Sequence, residues 1–302
     1  MNADVLLPSW RPGATRDAIT RFLDDVQTVP VEERVACFDN DGTLWCERPT
    51  YIQYDFFVDA LRRRIATDAA LAEREEFAAV LGSDVAQIGA LGLDRVALAL
   101  AGLFEGLTPE AFAAEARTYM DGATHAFGRS MRTMVYRPML ELIEMLRALD
   151  FTVAISTGGG REFVRAISET IYDTPAELVV GTGIDYDLVR DDDGRIELRR
   201  TAQVHGAVNE GAAKVANIQS SLGRRPILAA GNSAGDAEML EWANRGPGPH
   251  LALLVDHDDA SREYAYESRS ETLAESEPIT TTATRKRWTV ISMARDWTTI
   301  FT

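Results

Sequence analysis

The chain has 302 residues, 46% of them hydrophobic, enough for one large packed domain or a core with an insert. A formal net charge of −16 and a sequence pI near 4.7 argue against nucleic acid, whose backbone needs a basic footprint, and against docking on an anionic membrane. A small phosphorylated substrate stays open, because a local cationic site overrides a distant field.

The first buried strand is "RVACFD" (34–39), which runs into Asn40, Asp41, Gly42 and Thr43. Its Cys37 reads as a small core residue, and with Cys46 it makes two thiols without metal-type spacing. That usage predicts a reducing compartment and no disulfide framework. No basic stretch followed by an apolar one opens the chain, and no apolar run reaches the ~20 residues of a membrane helix. The expectation is a cytoplasmic, soluble protein without a membrane partner.

From residue 50 to about 134 there is almost no strand signal. "YIQYDFFVDALRRRIA", "AALAEREEFAAVLG", "VAQIGALGLDRVALALAGLF" and "TPEAFAAEARTYM" read as helices, the last with Thr108 as N-cap and Pro109 at N1. A crossover needs only about a dozen residues, so 49–134 is expected to be a lid-like domain inserted into a core of 1–48 and 135–302. The core then alternates. Helix "PMLELIEMLRALD" precedes strand "FTVAIST" (151–157), and helix "GREFVRAISETIY" precedes strand "ELVVGT" (177–182). The hairpin "DYDLVRDDDGRIELRR", turning at Asp193-Gly194, is expected to interrupt the pattern. Helix "NEGAAKVANIQSSLG" stops at Gly223 before strand "PILAAGN" (226–232), and "HLALLVD" (250–256) follows. "DHDDASREYAYESRSE" reads as mostly solvated, "TTTATRK" (280–286) as a loop, and "RWTVISM" (287–293) as a candidate sixth strand. Alternation of near-continuous apolar strands with helices predicts an α/β fold built on a doubly wound, Rossmann-like parallel sheet.

Ligands bind beyond the carboxyl ends of such strands. There the chain sets Asp39 and Asp41 after the first strand, Thr157 with Gly158-Gly159-Gly160 after the second, and Asn232, Ser233 and Asp236 after the fourth. Lys214 lies in the helix leading to that fourth strand. Residues i and i+2 of an extended segment share a face, so Asp39 and Asp41 can address one group. Two close carboxylates need a cation; an oxygen-only set suits Mg²⁺, and Lys214 adds a second charge. The glycines at a helix start offer N–H groups to an anion, and Thr157 offers a hydroxyl. Ser156 is the rival hydroxyl, but the glycines follow Thr157. A dianionic phosphoryl group fits this set.

With these residues the sequence resembles the haloacid dehalogenase superfamily, in its phosphoserine phosphatase-like branch with a type 1 helical cap. Asp39-Asn40-Asp41-Gly42-Thr43-Leu44 matches the first motif, Thr157 the second, Lys214 the third and "GNSAGD" (231–236) the fourth. The resemblance implies a Mg²⁺-dependent phosphatase acting on a small phosphorylated metabolite. Asp39 would be the nucleophile that becomes an aspartyl-phosphate, and Asp41 the general acid and base. Metal ligands would be Asp39, the carbonyl of Asp41, and Asn232 or Asp236, although Asn232 stands where the family usually has an acid. Gly42 and Thr43 would shape the phosphate site with Gly158 and Gly159.

Glu47 and Arg48 are candidates for the substrate's far end, or a solvated hinge pair; Arg161 is a candidate contact or an exposed first-turn arginine. Tyr51, Tyr54, Phe56 and Phe57 read as core or cavity lining, and Met131, Met134 and Met139 as packing. His125, His205, His250 and His257 are scattered and predict no zinc site, the first three being turn or surface residues. A dehalogenase has no need of Asp41. A phosphotransferase would use the same residues, and Asn232 leaves a small opening for a non-catalytic phosphate-binding protein. The sequence does not fix the oligomeric state.

Overall fold

In the computed structural model, which describes residues 7–270, 273 and 277–302, β1 is Val35–Phe38, apolar and buried throughout. Alternate side chains face opposite sides of the sheet: Ala36 and Phe38 join one apolar cluster, Val35 and Cys37 the other. The first cluster takes in Phe22 of α1 (Ala14–Asp25), which lies ahead of β1.

Between β1 and β2 (Thr152–Gly160) lie α2 (Ile52–Ile65), α3 (Glu75–Leu81), α4 (Val85–Leu91), α5 (Leu93–Gly102), α6 (Pro109–Gly122) and α7 (Arg137–Ala148). Thr108 caps α6 with its side chain on the Ala111 N–H, as the sequence predicts. The single helix expected over 85–104 is two, bent by 93° at Gly92, whose φ of +91° is left-handed. Phe56 of α2 packs on Phe104 at 5.0 Å and on Phe163 of the core at 5.2 Å, which seats these helices on the sheet's end.

Short helices α8 (Arg161–Arg165) and α9 (Ser168–Tyr172) lead to β3 (Val179–Arg190). Next come β4 (Ile196–His205), α10 (Ala212–Leu222), β5 (Leu228–Gly231), α11 (Ala237–Ala243), β6 (Leu251–Asp256), α12 (Ile279–Lys286), β7 (Thr289–Ser292) and α13 (Met293–Asp296). The sheet order is β4-β3-β2-β1-β5-β6-β7, parallel except for the β3–β4 pair. The hairpin breaks the strand–helix alternation, as expected, and extends the sheet as an antiparallel edge. Its β4 is also tied to the segment after α5: Gly106 N–H donates to Arg200 O at 2.8 Å, and Arg200 N–H to Leu107 O at 2.9 Å.

Two further expectations are corrected. The stretch read as a loop at 280–286 belongs to α12, because Ile279 and Ala283, one turn apart, are buried on the sheet; packing overrides the low propensity of its threonines. The segment after β6 is not mostly solvated: His257, Asp259, Glu263 and Ser268 are buried in it. Glu263 accepts from Cys46 Sγ and Tyr136 Oη, each at 3.0 Å, and from Tyr264 N–H at 2.6 Å. Met131, Met134 and Met139 are buried, and Cys37 and Cys46 are free buried thiols.

Candidate active site

Phe38 pairs with Ile155 of β2 and Ala230 of β5, so β1 and β5 end at one level while β2 runs on beside them through Gly160. The order reverses at β1, whose neighbours β2 and β5 follow from opposite directions, and a crevice opens there. Asp39 N–H continues the ladder to Ala230 O at 2.9 Å, and its carboxylate then emerges at 6% exposure. The chain turns at once. Asn40 O accepts from the N–H groups of Thr43, Leu44 and Trp45, at 3.2, 2.8 and 3.3 Å. Gly42 completes the turn with φ +73°, and a Cβ there would lie 2.0 Å from Asn232 Nδ2, so glycine is required on both counts. Beneath it, buried His257 sets Nε2 2.9 Å from Gly42 O.

The turn returns Asp41 to the crevice mouth. Trp45 Nε1 donates to Asp41 Oδ1 at 2.8 Å, while Thr157 Oγ1 and Asn40 Nδ2 reach Oδ2 at 3.4 Å each. Burial raises Asp41 above the ordinary carboxylate range, against these donors. Asn40 also accepts from Tyr172 Oη at 2.9 Å, which turns it away from the crevice and fixes the loop.

Lys214, from α10, is 1% exposed, with Nζ 2.8 Å from Asp39 Oδ1 and 2.5 Å from Asp236 Oδ1. Burial pulls its pKa down, but Asp236 and Asp39 more than reverse this, so the ammonium stays charged. Asp39 is raised by burial, then by the charge of Asp236, with Lys214 opposing. The other oxygen of Asp236 accepts from the N–H groups of Asn232 and Ser233, at 3.0 and 3.1 Å. Both of its oxygens are thus engaged by donors, and its place is to hold Lys214 and the loop.

Asn232 is 2% exposed. Thr43 Oγ1 lies 3.5 Å from its Oδ1, and its Nδ2 donates to Glu47 Oε1 at 3.1 Å. Glu47, raised by burial, also accepts from Tyr266 Oη at 2.8 Å, so it is no solvated hinge residue. Arg48 stacks its guanidinium 4.4 Å over the Tyr266 ring. His125, expected as a turn or surface residue, stands at a turn, its O accepting from Gly128 N–H at 2.8 Å, but is buried, with Nε2 2.6 Å from Arg48 O.

The glycine run differs from expectation. β2 continues through Gly160, and α8 has only five residues. Gly159 N–H donates to Thr157 Oγ1 at 3.0 Å and Gly160 N–H to Gln53 Oε1 at 2.7 Å. Two of the N–H groups read as an anion site are thus already engaged by Thr157 and by α2. Ser156 points away and accepts from Asn209 Nδ2 at 3.2 Å. Arg161 pairs with Glu162 at 3.3 Å.

A cavity of about 580 Å³ lies over these groups, lined by Asp39, Asp41, Glu47, Arg48, Gly158, Gly159, Lys214, Asn232 and Asp236. Tyr51, Tyr54 and Phe57 of the inter-strand segment line it too, whereas Phe56 is core. Sequence reasoning missed Trp45, Gln53, Tyr266 and Arg200. Among the described residues no group of three or more His, Cys, Asp or Glu side chains is gathered as a metal site. The oxygens on offer are the Asp39 carboxylate, the Asn232 amide and main-chain carbonyls, a hard set that fits Mg²⁺ with water completing the shell.

The haloacid dehalogenase-like hydrolase family matches residues 36–241, and the chain belongs to it. None of the curated proteins compared with the chain matches it. Among solved structures, a protein of unknown function from Bordetella pertussis Tohama I is similar, at 18% identity and TM-score 0.55, over 86% of this chain and 98% of that one. A functionally unknown protein from Anaerococcus prevotii DSM 20548 is similar at 14% identity and TM-score 0.51, over 81% and 86%. A probable phosphoserine phosphatase from Vibrio cholerae gives 18% identity and TM-score 0.42, over 81% and 65%. The first two likenesses bear on the fold alone.

Proposed function

We propose that the chain is a Mg²⁺-dependent phosphatase of small phosphomonoesters, working through an aspartyl-phosphate on Asp39. The observation that carries this is the triangle of Asp39, Lys214 and Asp236 beside a second acid, Asp41, held two residues on by Trp45. With Oδ1 fixed by Lys214, the free oxygen of Asp39 faces the cavity and attacks phosphorus in line. Asp41, whose protonated form burial favours, gives its proton to the leaving alkoxide. As a carboxylate it then takes a proton from the water that attacks the aspartyl-phosphate, and regains its starting state. Thr157 steadies Asp41 Oδ2 throughout.

Asp39 and Asn232, with the carbonyl of Asp41, would hold the metal; Asp236 would stay on Lys214. Mg²⁺ when bound supplies positive charge that keeps Asp39 ionised and spreads the charge of the transferring group. The helices of 49–134 serve as a cap whose closure shuts out bulk water. A cavity of this size suits a metabolite, not a phosphoprotein or nucleic acid. Two free buried thiols suit the cytoplasm.

The test is phosphate release from a panel of phosphorylated metabolites with Mg²⁺, together with acid-quenched labelling by a ³²P-phosphomonoester. Label is expected on Asp39 and none on the Asp39→Asn protein. No release across the panel and no label on the wild type would overturn the reading.

A further inference from the structure

The cavity over Asp39 reaches a wall that the proposed mechanism does not use. Arg200, from the edge strand β4, lines it and is 3% exposed. Its guanidinium lies 3.9 Å over the ring of Phe112 in α6. Its Nε and Nη1 are buried and find no hydrogen-bond acceptor among the described residues, while the Tyr186 hydroxyl also interacts with the guanidinium. Nη1 comes only within 3.9 Å of Glu162 Oε2, too far for a hydrogen bond. Glu162 meanwhile has its other oxygen 3.3 Å from Arg161. Two guanidiniums thus share one carboxylate, and one positive charge is left over inside a protein of net charge −16. A buried cation with unmet donors is costly unless something completes its shell. The same cavity that Asp39 and Arg200 both line has apolar walls that include Phe57, Val96, Leu100, Phe112, Phe163 and Ile184.

We propose that Arg200 recognises a second anionic group, a carboxylate, at the far end of the substrate, so that the enzyme acts on phosphomonoesters whose apolar body links a phosphate to a carboxylate. This rests on the phosphatase reading above and deepens it. The phosphate sits at Asp39 and Lys214, the body against the aromatic and aliphatic wall, and the carboxylate accepts from Arg200. Glu162 keeps the empty site from carrying two uncompensated charges.

The test compares 4-carboxyphenyl phosphate with 4-carbamoylphenyl phosphate, which have nearly the same shape and differ in the far charge. The wild type is expected to favour the carboxylate by about 10- to 100-fold in kcat/KM, the worth of one charge-assisted hydrogen bond in a dry site. Arg200→Gln should bring that ratio close to 1, and Arg200→Lys should restore part of it. A wild-type ratio near 1, or a preference that Arg200→Gln leaves in place, overturns the role of Arg200. Hydrolysis of neither ester would count against the phosphatase reading alone. Calorimetric titration of the intact protein with 4-carboxybenzylphosphonate and its carboxamide then decides the Arg200 question: tighter binding of the carboxylate supports it, equal binding overturns it. The same wild-type titration decides if thermal melts show that the Arg200 variants do not fold.

Discussion

Asn232 Nδ2 donates to Glu47 Oε1 across 3.1 Å, an amide facing a carboxylate where the family usually has an acid in the fourth motif. With both residues buried, a second carboxylate at 232 would stand against Glu47 and lose the amide donor that now joins the two positions. The exchange that restores the usual motif should therefore weaken the metal-free protein. Asn232→Asp is expected to lower the Tm in EDTA by at least about 2 °C, and added Mg²⁺ should raise the variant's Tm more than the wild type's. Equal metal-dependent shifts would show that position 232 does not face the metal.

Asp39→Asn removes the attacking carboxylate but keeps the shape and an acceptor for Lys214. Turnover should fall by at least about 10³-fold with the far-ultraviolet circular dichroism unchanged. Turnover retained on the best substrate would remove Asp39 as the nucleophile.

Lys214 stands between two buried carboxylates. Lys214→Met leaves both without their cation and should cost about 3–5 kcal/mol of stability, far more than Asp39→Asn, which leaves one pair intact. Denaturant unfolding of the two variants checks the order; similar losses would show that the triangle is not what holds this end of the sheet.

How much of this was legible in the sequence divides along physical lines. The buried strands were, because runs such as Val35–Phe38 and Leu251–Val255 are apolar at every position. The meeting of Asp39, Thr157, Lys214 and Asp236 was too, because parallel strands deliver their ends to one edge. What was hidden came from side chains that reach across the chain. Gln53 takes the Gly160 N–H from 107 residues away, and Trp45 holds Asp41 from within a turn whose path no periodicity announces. Arg200 sits in an alternating, charged hairpin that reads as solvent-facing, and it is buried only because α5 and α6 lie over that strand. Glu263 hid in a charged run, buried because Cys46 and Tyr136 reach it from distant parts of the chain.

That last residue carries a pH prediction. Burial raises Glu263, but His257, Cys46 and the Tyr264 N–H together bring it below its ordinary value of 4.5. A carboxyl whose folded pKa is depressed adds stability above the unfolded value and loses it as pH falls through the folded one. Glu263→Gln should therefore cost about 2–3 kcal/mol at pH 7. The gap from wild type should stay full down to about pH 4.5 and narrow below it. A gap that does not change on acidification would mean that packing, not charge, sets the loss.

The pair of main-chain hydrogen bonds between Arg200 and the Gly106–Leu107 turn has a mechanical consequence. The cap proposed for 49–134 would not part cleanly at its two ends, because this pair of bonds stitches it to the sheet's outermost ribbon. To swing wide it must either unpick that seam or drag the ribbon with it. Slow exchange of the Arg200 and Gly106 amide protons would mark the second course, in which the whole flank moves as a single flap and the anion-seeking guanidinium travels with the door.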